Sequence, residues 1–196
     1  LQQFAYHDVD AWQFRDAVSA FTGIDASPFF DDWIFQGGWP WFGIDSTIVQ
    51  PAGVNYQITL HARQKLAGRA LYAHQAPIEI AFYDAGWQPH IQTFMFDGYL
   101  DTFLLTLPFI PQCILVDPNE RISYAVTTER KILKSTGSTS LSHANFTVTV
   151  NQITDSAMIV VSHNWVGADP LVPSGAILDS RWNLAGWFFG RCEYLL

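Results

Sequence analysis

The first forty residues carry a helical pattern of apolar positions. Four apolar residues recur at i, i+3, i+4 and i+7: Phe14, Ala17, Val18 and Phe21. This spacing predicts a helix over Asp10–Phe21, with one apolar face. Asp10 and Gln13 have the spacing of a capping box, and Gly23 can end the helix in the left-handed conformation.

A second, shorter helix is predicted over Pro28–Gln36. Ser27 can serve as its N-cap, and a proline fits the first helical position because no amide hydrogen is needed there. Trp33 lies at the centre of its apolar face. Gly37 can adopt the left-handed conformation that ends helices, and Pro40 prevents continuation. The two helices form a predicted hairpin, and we expect Trp33 to anchor it to the rest of the chain.

From Val54 onward the period of the hydrophobic pattern changes to two. Apolar and polar residues alternate without interruption over Val54–Arg63, which is typical of a half-buried strand. Further strands are predicted at Pro77–Tyr83, Ile91–Phe96, Asp101–Leu107, Cys113–Val116 and Ile122–Thr127. Short strands separated by Gly, Pro, Asn and Asp turns favour a mainly-β fold, an antiparallel immunoglobulin-like β-sandwich.

A break in composition separates this region from the C-terminal residues. Residues 131–142 are small and polar, which predicts a linker or long loop. Alternation at Phe146–Val150, an apolar run at Ala157–Val161 and later tryptophans indicate a further β-rich segment. We therefore predict four parts: a helical hairpin at 1–44, a sandwich at 45–130, the linker at 131–142 and a second β-rich segment at 143–196. The last part either pairs with the first sheet or begins another domain.

Composition and charge exclude several classes of protein. The 196 residues are 49% hydrophobic and 14% charged, which indicates a globular chain rather than a disordered one. The formal net charge of −8 and the scattered basic residues argue against a nucleic-acid partner. No stretch reaches the roughly 18 consecutive apolar residues of a membrane span, and Leu1 opens into polar sequence without a signal peptide. For Cys113 and Cys192 we favour two buried free thiols over a long-range disulfide.

Several polar residues are candidate ligands. Asp31 and Asp32 are a carboxylate pair, which we expect to cap a helix and face solvent rather than bind a metal. His61 lies on the polar face of a strand, and a surface role is favoured. His7 is close to Asp8 and Asp10, which read as ordinary helix-capping neighbours. His163, beside Trp165, is expected to be structural. No catalytic, cofactor-binding or metal-binding residue is therefore assigned in this chain.

A candidate glycosylation site and a cluster of aromatic residues each have a functional interpretation. Asn145-Phe146-Thr147 is a glycosylation sequon, which is meaningful in a eukaryotic secretory setting. Trp39, Trp41 and Phe42 cluster after the second helix. Clustered aromatic residues can stack on sugars, although a place in the core is the more common role.

The segment Phe29–Pro40 also carries a resemblance. Three short motifs occur in order, the first of them just before this segment: Gly23-x-Asp25, then Phe-Phe-Asp-x-Trp-Ile, then Gly-x-Pro. This order resembles the end of the catalytic domain in the gluzincin family, the thermolysin-like zinc aminopeptidases that include aminopeptidase N. Weaker matches to the β-sandwich that follows in that family are Ile58–Leu60 with Arg63-Gln64, Pro77–Ile80, Trp87, Phe103 with Pro108, and Val116–Asn119 with Ala125. His163–Val166 with Asp169-Pro170 resembles the start of an additional β module.

This resemblance implies a non-catalytic, C-terminal structural region of a secreted or cell-surface metallopeptidase. The family's His-Glu-x-x-His motif is absent from this sequence, so zinc is expected in a catalytic domain that would be the partner of this region. Two alternatives stay open. One is a carbohydrate-binding or adhesion module with a weak glycan contact, recognisable by a line of exposed tryptophans. The other is the scaffold region of a peptidase homologue without activity.

Overall fold

The computed structural model describes residues 5–122, 126–164, 181–188 and 192–195. The described residues form twelve strands and two short helices, so the mainly-β prediction is confirmed. In these ranges both helices precede all the strands, as the change in hydrophobic period predicts, and every strand pairing is antiparallel.

Two helices form the N-terminal hairpin, α1 (Ala11–Thr22) and α2 (Ser27–Trp33). The capping box of α1 is confirmed, because the Asp10 side chain accepts a hydrogen bond from the Gln13 N–H and the Gln13 side chain accepts one from the Asp10 N–H. Gly23 ends α1 in the left-handed conformation, with φ of 72°.

The shorter helix differs from its prediction at both ends. The residue that precedes α2 is Ala26, which makes no side-chain capping bond, and Ser27 is the first helical residue. The helix ends at Trp33 rather than at Gln36. The left-handed glycine is Gly38, with φ of 70°, rather than Gly37.

Six strands make a sandwich of two three-stranded sheets. They are β1 (Trp39–Ala52), β2 (Asn55–Ala67), β3 (Ala76–Tyr83), β4 (Pro89–Phe96), β5 (Leu100–Leu107) and β6 (Cys113–Val116). One sheet has the order β1-β2-β5 and the other β4-β3-β6. The sheets share one core, in which the ring centroids of Phe42 and Phe96 lie 5.1 Å apart and those of Phe94 and Phe103 lie 4.8 Å apart.

Strand β1 is absent from the sequence prediction, which starts the strands at Val54. It pairs with β2 over its full length, with a shift of register between Ile44 and Ser46. The five predicted strands from Val54–Arg63 to Cys113–Val116 are confirmed as β2 to β6, with ends that differ by a few residues.

Six further strands form the second β-rich segment. They are β7 (Val126–Leu133), β8 (Gly137–Leu141), β9 (Phe146–Ile153), β10 (Ala157–Asn164), β11 (Arg181–Phe188) and β12 (Cys192–Leu195). Their sheets have the orders β11-β10-β7 and β12-β9-β8. A second core joins these sheets through Leu133, Ile159 and Val161 on one side and Leu141 and Val148 on the other.

The structure differs from the expected linker at 131–142. The end of β7 and the whole of β8 lie there, joined by a short turn. Of the strand predicted at Ile122–Thr127, residues 123–125 lie outside the described residues, and the observed strand β7 begins at Val126. Because β7 pairs with β10, this part of the chain belongs structurally to the second group of strands.

The two groups of strands contact each other through a third apolar cluster. Tyr83, Trp87 and Cys113 from the first group pack with Met158 and Val160 from the second. The Trp87 indole N–H also donates to the Ser156 hydroxyl, at 2.9 Å. Apolar burial and a hydrogen bond therefore stabilise this contact together.

Candidate functional site

The apolar side chains of the helical hairpin lie largely at the molecular surface. No residue of α1 is buried, and the exposed fraction reaches 57% for Trp12 and 92% for Phe21. We use the name hairpin surface for the exposed apolar side chains of this region: Tyr6, Val9, Trp12, Phe14, Phe21, Ile24, Phe29 and Ile34. Exposed apolar side chains concentrated in one short region are typical of interaction sites, which makes this surface the candidate functional site.

Aromatic contacts hold the two helices together. The rings of Trp12 and Phe35 stack with centroids 4.7 Å apart. Phe30, the buried residue at the centre of the hairpin, contacts Phe14, Phe29 and Phe35 at centroid distances of 6.1, 5.8 and 5.8 Å. Aromatic pairs at these distances each add about 0.5–1.5 kcal/mol beyond area burial. Trp12 and Phe14 make these contacts and are still 57% and 48% exposed, so the contacts between the helices leave about half of each side chain open.

Trp33 connects the hairpin to the sandwich. Its side chain is half-buried and packs against the first core, as the sequence predicts. Phe30 contacts the partner helix and Trp33 contacts the sheets, so α2 is the bridge between the two.

Polar side chains fix the hairpin against the loop at residues 68–75. The His74 backbone N–H donates to Asp32 Oδ2 at 2.7 Å, and the Leu71 N–H donates to Gln36 Oε1 at 3.2 Å. From the other side, the fully buried Gln64 amide accepts from the Ala73 N–H at 2.7 Å and donates to the Ala73 carbonyl at 3.1 Å. The loop is therefore held between α2 and β2.

The prediction that Asp31 and Asp32 cap a helix is wrong for both residues, and the prediction that they face solvent is wrong for Asp32. Asp31 is exposed, whereas Asp32 is buried. Because α2 ends at Trp33, both residues lie in its last turns and not at its positive end. Burial lowers the pKa of Arg69, and the negative charge of Asp32 opposes that shift. Asp32 thus serves as an acceptor and counter-charge beneath the hairpin.

The other polar candidates do not converge on one site. His7, Asp8 and Asp10 are exposed, and Asp10 is occupied as the cap of α1. The His61 ring lies 3.2 Å from the Thr102 hydroxyl on the outer side of its sheet. His163 is buried in β10, and Trp165 lies outside the described residues. Among the residues that the structure describes, no group of three or more His, Cys, Asp or Glu side chains is placed to hold a metal ion.

The aromatic cluster after the second helix belongs mainly to the sandwich. Phe42 is buried, and Trp39 and Trp41 are half-buried. The ammonium group of Lys65 lies 4.5 Å from the centroid of the Trp41 ring, a cation–π contact. The ring also lies over Gly43, where an added Cβ would stand 2.2 Å from Trp41 Cη2. The glycine is therefore what allows this ring to lie flat on β1.

The surroundings shift the pKa values of Cys113, in β6, and of Asp84, which follows β3. Burial raises the pKa of the Cys113 thiol to about 12, and this cysteine is free. The free-thiol prediction is thus confirmed for Cys113, while the side chain of Cys192 lies outside the described residues. Hydrogen bonds from the Gln88 backbone N–H and the His90 ring, followed by that of Gly86, lower the pKa of Asp84.

The sequon asparagine lies in an accessible place. Asn145 is exposed in the turn between β8 and β9, in the left-handed conformation with φ of 52°. No helix in the described ranges has the length and hydrophobicity that a membrane crossing requires.

Sequence reasoning identified the helices but missed the exposure of their apolar side chains. Helical periodicity predicts which side of α1 is apolar, and it carries no information about whether the same chain covers that side. The high density of aromatic residues in two short helices is the sequence feature that could have indicated this exposure. Comparison with protein-family models, with curated proteins and with solved structures finds no match to this chain.

Proposed function

We propose that this chain is a non-catalytic structural region of a zinc aminopeptidase of the gluzincin type. In this proposal the hairpin surface docks onto the catalytic domain of the same protein, and the two groups of strands act as a spacer. Zinc and the His-Glu-x-x-His helix belong to the catalytic domain. The proposal places the protein outside the cell or at its surface, without a nucleic-acid partner.

The observation that carries this proposal is the exposure of aromatic side chains on a well-anchored hairpin. Phe21 is 92% exposed, and leaving such a side chain in water forgoes roughly 1.5–3 kcal/mol of burial free energy. Asp32, Gln36 and Trp33 attach α2 and the residues after it to the sandwich, and ring contacts of Trp12 and Phe14 attach α1 to this segment. An apolar surface that is already formed on two helices is suited to docking because little ordering free energy is spent on association.

The carbohydrate-binding alternative has less support. It requires a line of exposed aromatic rings that can stack on sugars. Of the five tryptophans whose side chains are described, Trp12 is exposed, three are half-buried and Trp87 is buried. Trp12 stacks on Phe35, so part of its ring is already covered. The other alternative, the scaffold region of a peptidase homologue without activity, would use the same hairpin surface. It differs from the main proposal only in that the upstream domain would have no peptidase activity.

The zinc content and activity of the gene product test the proposal. We expect the upstream part of the gene product to contain a His-Glu-x-x-His helix and to hydrolyse aminoacyl anilides in a chelator-sensitive reaction. The 196-residue chain alone is expected to hold no stoichiometric zinc after dialysis. An upstream domain of another chemistry, or zinc-dependent hydrolysis by this chain alone, would overturn the proposal. Specific retention on a polysaccharide column would favour the carbohydrate-binding alternative.

A further inference from the structure

Strand β4 presents an open edge on the first sandwich. It pairs with β3 on one side, and in the part of the chain that the structure describes no strand pairs with its other side. An unpaired strand edge is a template for pairing with another strand, and proteins protect such edges with charges, prolines, bulges or short length.

β4 lacks these protections, whereas the other edge strands of the sandwich have them. β1 contains two prolines and a shift of register, β5 carries Asp101, and β6 has four residues. β4 has eight residues, Pro-His-Ile-Gln-Thr-Phe-Met-Phe, with no Asp, Glu, Lys or Arg, and its proline is the first residue. In a chain whose formal charge is −8, this is an uncharged edge.

The hydrogen-bond pattern shows which backbone groups face outward. The Asp84 N–H donates to the Gln88 carbonyl, and β3 and β4 continue from this pair in a regular antiparallel register. Because hydrogen-bonded pairs alternate along an antiparallel ladder, residues 90, 92, 94 and 96 bond to β3. The N–H and C=O groups of Ile91, Thr93 and Met95 therefore point to the open edge. The side chains of these three residues are also exposed.

We propose that β4 pairs in an antiparallel manner with β4 of a second copy of this chain, about a twofold axis at Thr93. In that register Thr93 opposes its own copy, and Ile91 opposes Met95 on both sides of the axis. The three outward residues then form hydrogen-bonded pairs, with roughly six N–H···O bonds in all. The exposed apolar side chains cover each other, and no like charges meet.

The sequence of the strand selects this partner. A twofold axis places each residue opposite its mirror position, so a strand pairs well with itself only if those positions match. Ile91 and Met95 are matched apolar side chains of similar exposure, 44% and 55%, at equal distances from Thr93. Two three-stranded sheets would join in one continuous sheet of β6-β3-β4 and its copy. This interface does not involve the hairpin surface, so its failure and that of the proposed function are separate results.

Charge substitutions at the twofold axis test the pairing. Sedimentation equilibrium of the 196-residue chain is expected to give a mass that rises with concentration toward that of two chains. Thr93→Lys and Thr93→Glu each place like charges opposite each other, so each variant is expected to sediment as a single chain. An equimolar mixture of the two places Lys opposite Glu and is expected to restore the dimer.

The matched control is Thr106→Lys, the same substitution at an exposed position of β5. It is expected to leave the dimer unchanged, and circular dichroism checks that every variant keeps the parent fold. A parent that remains a single chain at every concentration would overturn the pairing. So would Thr93 variants that dimerise as the parent does, a mixture that stays monomeric, or a Thr106→Lys variant that loses the dimer.

Discussion

Truncation of Trp33 to alanine tests whether the hairpin is anchored to the sandwich. A fully buried tryptophan costs about 3–5 kcal/mol when it is replaced by alanine, through lost burial and the cavity that remains. Trp33 is half-buried against the first core, so we expect about half of that cost, roughly 2 kcal/mol. For a chain of this size the loss lowers the midpoint of thermal unfolding by roughly 4–8 °C.

Urea denaturation followed by circular dichroism measures this loss, with Phe21→Ala as the matched control. Phe21 belongs to the same hairpin but is 92% exposed, so its truncation should change the free energy of unfolding by less than about 0.5 kcal/mol. A loss under about 1 kcal/mol for Trp33→Ala would refute the reasoning. It would mean that the hairpin opens without disturbing the sandwich, as a local unfolding unit.

Three further predictions concern polar and reactive groups. Asp32→Ala leaves the His74 N–H without its acceptor and should cost about 1–3 kcal/mol in urea denaturation, whereas Asp31→Ala should stay within about 0.5 kcal/mol because Asp31 is exposed. The pKa of Asp84 in the folded chain lies below its ordinary value of 3.8, so the ionised carboxylate stabilises the fold fully above pH 3.8 and loses this effect as the pH falls through the folded-state pKa. Asp84→Asn should therefore reduce the loss of stability in acid. An unchanged dependence of the free energy of unfolding on pH below 3.8 would contradict this. Since burial raises the pKa of Cys113 to about 12, a thiol reagent should modify this residue in the unfolded chain and leave it unmodified in the native one, as peptide mapping can check.

The helices and five strands of the sandwich could be predicted because their signals are local. The capping box of Asp10 and Gln13 is encoded within four residues, and the alternation over Val54–Arg63 identifies β2 without knowledge of its partners. Strand β1 could not be predicted because its pattern of apolar and polar residues is irregular. Two prolines and the shift of register between Ile44 and Ser46 interrupt the period of two.

Other features depend on parts of the chain that are far apart in sequence. β8 is a polar strand with one buried residue, Leu141, so its composition resembles a linker until its pairing with β9 is known. The burial of Asp32 requires the loop at 68–75, about forty residues further on. The open edge of β4 likewise follows from the order of strands in the sheets, which periodicity does not define.

We propose above that the hairpin surface binds a folded domain of the same protein. Isothermal titration of the 196-residue chain with the separately produced upstream domain measures this binding directly. We expect the parent chain to form a defined complex with this domain. Phe21→Asp places a charge in the apolar contact and should weaken binding at least about tenfold, whereas Thr106→Lys should bind as the parent does. Absence of binding by the parent chain, or equal binding by Phe21→Asp, would contradict the account.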